Sequence, residues 1–279
     1  MVVSKFQIRM AWYVKNGRAF CWGAVIGVLG GLIGLGGAEF RLPVLVSFYQ
    51  FRTLQAIVIN LIVSLVTVIF SFIFRVGLVN LDRITSHAPI VFDILAGSLL
   101  GSYIGVRFAT KINEHTLTRI VVVFLVILSI VLIGHDFIFH AQSFAFPVLL
   151  KFVLGALAGI VIGVFSSMLG VAGGELIIPT IIILFAVDIK LAGSLSLAIS
   201  IPTIIMGLVK YGRQRQLSGI HQQGGFILWM SAGSILGALI GSYLLGYVRV
   251  SFLQVLLGLI LLISAVKLWG THSKPPISN

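Results

Sequence analysis

The sequence predicts an all-α polytopic membrane protein, and three observations support this prediction. Of its 279 residues, 59% are hydrophobic and only 9% are charged, whereas roughly a quarter of the residues of a soluble domain are charged. The mean hydropathy is +1.16, which indicates that lipid surrounds most of the surface. The apolar residues also form runs long enough to cross about 30 Å of hydrocarbon. A soluble domain, a coiled coil and a disordered chain are therefore excluded.

About eight long apolar runs follow one another along the chain. They cover residues 20–49, 54–74, 88–108, 117–134, 147–187, 191–209, 225–248 and 252–270. Strands of a membrane barrel would alternate polar and apolar residues over segments of about ten, and these runs do not alternate. We therefore expect helices. Glycines interrupt the first and fifth runs, so these two break into half-helices and the bundle has ten helical pieces.

An internal repeat relates the two halves of the chain at a constant offset of 136 residues. Without a gap, the offset aligns Gly34 with Gly170, Glu39 with Glu175, and the sequence GSLLG at 97–101 with GSILG at 233–237. Residues related by this offset are termed twins below. We predict a cytoplasmic N-terminal segment 1–19, a first repeat 20–134, a linker 135–151, a second repeat 152–270 and a tail 271–279.

The Lys and Arg residues indicate how the repeats are oriented, because these residues concentrate in cytoplasmic loops. If each broken run crosses the membrane once, the cytoplasmic side holds 12 of the 19 Lys and Arg. If each broken run folds back on itself, that side holds 14. The second arrangement fits better, and it gives each repeat an odd number of crossings. We therefore expect two repeats of inverted topology, in the inner membrane, with the N-terminus in the cytoplasm.

Small residues have two predicted roles. Glycines at four-residue spacing, in 23–31 and 97–105, are typical of closely packed membrane helices. The breaks are different, reading GGLIGLGGAEFRLP at 30–43 and SSMLGVAGGELIIP at 166–179. Consecutive glycines followed by glutamate and proline favour a helix restart near Glu39 and near Glu175. The free N–H groups of such a start bind anions, and two facing breaks at membrane depth imply a central cavity.

Two interpretations of Glu39 and Glu175 are open. Each carboxylate caps the helix that starts beside it and occupies the anion site when substrate is absent, which we slightly favour. Alternatively, each carries a proton as the cavity opens to either side. Arg41 has an apolar twin, Ile177, so it either pairs with Glu39, the default expectation, or supplies a fixed positive charge for a bound anion.

Polar residues of the spans complete the candidate site. Asn60 and its twin Ser196 precede Ser64 and its twin Ser200 on one helix face. The predicted substrate-binding residues belong to the two breaks and to these spans: Gly34, Gly36, Gly37, Ala38, Glu39, Arg41, Pro43, Asn60, Ser166, Ser167, Gly170, Gly173, Gly174, Glu175, Pro179, Ser196 and Ser200. Glu39 and Glu175 are in addition the candidates for coupling or gating.

At these two breaks the chain resembles the TauE/SafE family of membrane permeases, also named the toluene-sulfonate uptake permeases. The resemblance rests on two glycine-rich stretches that each lead to a proline, at 34–43 and 170–179, and it extends over essentially the whole chain. It implies a transporter of sulfite, organosulfonates or related small sulfur-containing anions across the cytoplasmic membrane, often outward. The chain departs from a plain triple-glycine run at Ala38 and Ala172, and an acidic residue ends each glycine stretch.

Three function classes were compared. The first is a secondary transporter of a small anion, driven by a gradient or a partner because the chain has no nucleotide-binding loop. The second is an anion channel with the same site. The third, an intramembrane enzyme, is disfavoured because the spans offer Asp93 but no histidine. One cysteine, Cys21, leaves no thiolate-rich metal site. We expect the lipid bilayer and a small anion as partners, with a proton as a candidate coupling ion, and no cofactor or nucleic acid.

Overall fold

The computed structural model describes residues 2–76, 81–113, 147–217 and 219–245, with isolated positions among 115–130, at 247 and among 259–266. Across these residues the regular secondary structure is helical and no strand occurs. Six helical segments are long and apolar enough to cross a membrane: Asn16–Ile33, Thr53–Val76, Ala88–Lys111, Leu149–Leu169, Lys190–Arg213 and Ile220–Leu244. The all-helical polytopic fold is therefore confirmed. The predicted runs 117–134 and 252–270 and the tail lie largely outside the described residues, so the count of eight stays a prediction.

The helices fall into two sets of similar order. In the first half, α1 covers Val2–Ile33, α2 Ala38–Pro43, α3 Thr53–Val76, α4 Leu81–Ser86 and α5 Ala88–Lys111. In the second half, α6 covers Val148–Leu169, α7 Gly174–Phe185, α8 Ile189–Arg213 and α9 Gly224–Leu244. A π-helical turn, Val44–Phe48, extends α2, and a 3₁₀ turn, Ile220–Gln223, leads into α9.

Both broken runs fold back on themselves. Phe48, at the end of the turn that follows α2, lies against Trp22 of α1 with the ring centroids 6.1 Å apart. In the second half, Phe185 at the end of α7 lies against Phe152 of α6, also at 6.1 Å. A segment that continued across the membrane would carry these rings away from each other. The two runs are therefore helical hairpins, as the distribution of Lys and Arg favoured.

Glycines let the first helix of each hairpin pack closely against a helix of the other half, α1 against α9 and α6 against α5. A Cβ added at Gly27 of α1 would collide with the carbonyl oxygen of Ser234 in α9. Gly163 of α6 is the twin of Gly27, and a Cβ added there would collide with the carbonyl oxygen of Ser98 in α5. Ser98 is itself the twin of Ser234. The α1–α9 and α5–α6 pairs thus pack in parallel through twin contacts. The predicted packing role of these glycines is confirmed, and van der Waals contact between backbones is the main attraction available between helices in lipid.

The twin helices α3 and α8 lie between these pairs and run antiparallel. Arg75, at the end of α3, donates a hydrogen bond to the carbonyl of Lys190 at the start of α8, at 3.2 Å. Leu61, in the first half of α3, lies 3.9 Å from the Cβ position of Gly207 near the end of α8. An antiparallel course of these twin helices is what two repeats of inverted topology require, and the inverted relation of the whole halves stays a prediction.

The two ends of the bundle differ in charge. The end where α3 begins, termed the basic end, carries most of the described Lys and Arg near helix termini: Arg18, Arg52, Arg107, Lys111, Lys210, Arg213 and Arg215. The end where α3 stops, termed the opposite end, carries fewer: Arg83, Lys151 and Lys190. There, Arg83 and Asp188 form an exposed ion pair of 2.9 Å, which stabilises the fold by at most about 1 kcal/mol.

The glycine contacts generate a stability prediction. Replacing Gly237 of α9 by alanine places a Cβ against the carbonyl oxygen of Ala24 in α1, so the two helices must separate. We expect a loss of about 1–3 kcal/mol of stability, measured by thermal unfolding in detergent. Gly17→Ala is the matched control, because no atom lies within 4 Å of its Cβ position. Equal melting temperatures for the two variants would contradict the packing.

Candidate functional site

Glycine is required in both breaks because the backbone there adopts positive φ angles. Gly34 and its twin Gly170 have φ of 89° and 68°, and Gly37 and its twin Gly173 have 71° and 80°, a region that other residues rarely adopt. Helices restart at Ala38 and Gly174, within one residue of the predicted positions. The prolines differ from expectation. Pro43 and Pro179 lie beyond the first turn, inside α2 and α7, where each removes one helical hydrogen bond.

The two breaks touch each other in the interior of the bundle. The Cβ position of Gly36 lies 3.3 Å from the Cβ of Ala172, and that of Gly174 lies 3.0 Å from the Cα of Leu35. Both breaks also pack on the central part of α3, between Ile57 and Val68. The two breaks are therefore in direct contact at their junction, and the central cavity stays a prediction.

Three predicted residues of the spans hold the breaks together. Asn60 Nδ2 donates to the carbonyls of Ala38 in the first break and Gly170 in the second, both at 2.8 Å. Its twin Ser196 donates to the carbonyl of Gly34 at 2.9 Å, and Ser200 donates to that of Ala172 at 2.7 Å. These bonds give side-chain partners to one carbonyl at the start of α2 and to three carbonyls of the non-helical segments between the half-helices.

Arg41 does not pair with Glu39, so the default expectation for it was wrong. Residues two apart on a helix point in different directions, and the Arg41 side chain turns toward α3 and α9. Nη1 donates to Ser64 at 2.9 Å and to Asn60 Oδ1 at 3.3 Å. Nη2 donates to Thr67 at 3.2 Å and to Ser234 at 3.4 Å. The guanidinium is fully buried, and each of its described hydrogen-bond partners is neutral.

The two glutamates are buried without partners. Within the described part of the chain, neither carboxylate oxygen of Glu39 or Glu175 accepts a hydrogen bond, although 0% and 2% of these residues are exposed. The cap positions are Gly37 and Gly173, and neither helix start has a side-chain cap. The capping interpretation of the two carboxylates stays a prediction. Glu39 lies within electrostatic range of Glu175 and Arg41, so the three side chains form one cluster of ionisable groups.

Two predicted serines stay within their own half. Ser166 donates to the carbonyl of Val171 in the second break at 2.5 Å, so it shapes that loop. Ser167 donates to Val164 in its own helix at 3.1 Å and faces Gly105 of α5. The structure does not bring either hydroxyl to the first break.

Several site residues were missed from the sequence. Thr67 and Ser234 bind Arg41, and Ser71 and Arg75 continue the same face of α3. The sequence contains a pattern that could have identified those on α3. Polar residues recur on it at spacings of four, three, four and four residues, the period of one helix face: Asn60, Ser64, Thr67, Ser71 and Arg75. All five are fully buried.

A cavity of about 420 Å³ opens at the basic end. Its polar lining includes Arg52, Gln55, Thr110, Gln216 and Gln222. The cavity lies beside the first turn of α3, the helix whose Ile57 contacts Gly170 of the second break. We term this cavity the vestibule.

Membrane-spanning helices with a buried polar junction between two interrupted hairpins define a polytopic helical membrane protein. The chain matches the family described as Sulfite exporter TauE/SafE over residues 1–132 and 152–278. It belongs to that family, which is a family of transporters. No curated protein and no solved structure gives a match.

The junction generates a second stability prediction. Asn60→Ala removes hydrogen bonds to both breaks and one acceptor of Arg41, so it leaves buried polar groups unsatisfied at a cost of about 1–3 kcal/mol. Its twin change, Ser196→Ala, removes one bond to the first break. We therefore expect Asn60→Ala to lower the melting temperature in detergent clearly more than Ser196→Ala. The reverse order would mean that Asn60 does not join the breaks.

Proposed function

We propose that the protein is a secondary transporter that exports a small sulfur-containing anion, such as sulfite or an organosulfonate, through the junction of the two breaks. Family membership supports the substrate class. The observation that carries the proposal is Arg41, a fully buried guanidinium at the contact between the breaks whose described hydrogen-bond partners are all neutral. A buried cation is costly when no carboxylate hydrogen-bonds it, and a bound anion supplies a directly hydrogen-bonded counter-charge.

The polar groups around Arg41 suit an oxyanion. Hydroxyls of Ser64, Thr67 and Ser234 surround the guanidinium, and each can turn to donate to an anion. Among the described residues, the first two amides of α7, on Gly174 and Glu175, form no backbone hydrogen bond. These free amides add partial positive charge from the second half, so both halves contribute to the site.

Transport would proceed by alternating opening of the two sides of the junction. The antiparallel course of the twins α3 and α8 supports inverted repeats, an arrangement that many secondary transporters use. Direct contact between the breaks supports a carrier over a channel, because these segments must separate before an anion can pass between them. The positive charge at the basic end supports a cytoplasmic location of that end, and of the N-terminus, in the inner membrane. The vestibule then receives the anion from the cytoplasm.

Glu39 and Glu175 are proposed to couple or gate transport. A partnerless buried carboxylate is stabilised by protonation or by a nearby cation. Opening either side of the junction changes the access of water and protons to these groups. A proton taken up on one side and released on the other would couple anion movement to the proton gradient.

Flux into liposomes that contain the purified protein tests the function. We expect labelled sulfite to enter with saturation and to show counterflow against unlabelled sulfite inside, whereas a pore shows neither. Thiosulfate, sulfonates and chloride are compared in the same assay, and a thermal-shift screen with the same anions reports binding without flux. No binding and no flux with any sulfur oxyanion would refute the proposal.

Arg41→Gln should raise the half-saturating sulfite concentration by at least about tenfold, because a charged hydrogen bond contributes about 1.5–3 kcal/mol. Arg41→Lys should recover part of the affinity, because it keeps the charge but loses the fork of donors. The matched control is Ile177→Val at the twin position, for which we expect a change of less than about twofold. Equal effects at the twin positions would contradict the role of Arg41.

Glu39→Gln and Glu175→Gln test proton coupling. If the carboxylates exchange protons during transport, the variants should flatten the pH dependence of sulfite flux and weaken its response to an imposed proton gradient. Binding measured by thermal shift at one pH serves as the control for a folded site. An unchanged pH profile with intact flux would remove both residues from proton coupling.

A further inference from the structure

The polar face of α3 continues beyond the Arg41 site. Thr67 is the last residue of this face that binds Arg41. Ser71 and Arg75 follow on the next two turns, each about 6 Å further along the helix. Both are fully buried, so a polar line runs inside the bundle from the junction toward the opposite end.

These two residues carry buried donors without partners. In the described structure, Ser71 Oγ and the Nε and Nη1 atoms of Arg75 form no hydrogen bond. The guanidinium makes one hydrogen bond, from Nη2 to the carbonyl of Lys190 at 3.2 Å. Unsatisfied buried donors cost free energy, and an oxyanion offers the acceptors that this set lacks.

Backbone surrounds the Arg75 guanidinium on two sides. Gly34 is the residue of the first break that directly follows α1, and a Cβ there would collide with Nη1 of Arg75. A Cβ at Gly193 of α8 would lie 3.0 Å from both Nη1 and Nη2. Glycine at both positions leaves the guanidinium in direct contact with the break and with α8. Arg75 therefore lies where the first break meets the twin helix.

The twin positions in the second half are different. Gly207 stands where Ser71 would be, and Tyr211 stands where Arg75 would be. The Tyr211 hydroxyl donates to the carbonyl of Ser167 at 3.0 Å, so its donor is satisfied within the protein. The partnerless donors of Ser71 and Arg75 thus have no counterpart at their twin positions.

We propose that Arg75 and Ser71 form a second oxyanion-binding subsite, which takes the anion from Arg41 on its way to the opposite end of the bundle. The subsite rests on the proposed function, because its ligand is the transported anion. The binding groups are the Nε and Nη1 atoms of Arg75 and the hydroxyl of Ser71. In the export direction, the anion leaves the vestibule, binds at Arg41 and then moves to Arg75.

Sulfite transport in membrane vesicles of the two orientations tests this subsite, because each orientation presents one end of the bundle to the added anion. We expect Arg75→Gln to raise the half-saturating sulfite concentration at least about tenfold from the opposite end and less than about twofold from the basic end. Ser71→Ala should raise it about threefold from the opposite end. Tyr211→Phe, the twin control, should leave the opposite-end value unchanged.

Two further measurements keep the outcomes distinct. Arg75→Lys retains the buried charge, so it should keep part of the opposite-end affinity, and it replaces Arg75→Gln in the test if the latter does not fold. A wild-type protein that neither binds nor carries any sulfur oxyanion contradicts the proposed function. A wild-type protein that carries sulfite, together with Arg75 and Ser71 variants that change both ends equally or neither, overturns the subsite alone.

Discussion

The hydrogen bonds from Asn60 and Ser196 to the two breaks are the interactions on which the remaining architecture depends. An interrupted helix at membrane depth exposes carbonyl and amide groups that lipid cannot satisfy. Asn60 supplies two donors, one for each break, and Ser196 supplies one for the first break across the interface between halves. The breaks therefore cannot be satisfied by their own halves alone. This requirement fixes the antiparallel α3–α8 pair at the centre and draws the two hairpins together around it.

Close packing then determines how the hairpins surround that centre. Glycine contacts repeat in the α1–α9 and α5–α6 pairs at twin positions, so the same interface is built twice. Substitution of these glycines is restricted in both pairs, because a larger residue would push the two backbones apart. In lipid, close contact between the backbones is the main attraction that holds such helices together. The positions of the two buried arginines differ between the halves, with Arg41 against Ile177 and Arg75 against Tyr211.

The scaffold could be predicted from sequence because its causes are local. Hydropathy predicts the six described spans, and the offset with its glycines predicts both breaks and their helix restarts at Ala38 and Gly174. The partners of the charged groups could not be predicted in this way. Arg41 and Glu39 are neighbours in sequence yet point in different directions, and the partners of Arg41 come from α3 and α9, up to 193 residues away. Such contacts depend on the tertiary packing, which no local pattern contains.

The asymmetry of charge suggests how a symmetric scaffold serves a directional task. In the proposed orientation, Tyr211, the satisfied twin of Arg75, lies in the half-path between the vestibule and the junction. Arg41 lies at the junction and Arg75 lies in the half-path from the junction outward, and both guanidinium groups are fully buried. An anion therefore meets a buried guanidinium beyond the junction, whereas the twin position before the junction holds a tyrosine. A membrane potential that is negative inside drives the anion outward, and binding to Arg75 slows its release, so release at the opposite end is the step that tight binding at Arg75 would limit.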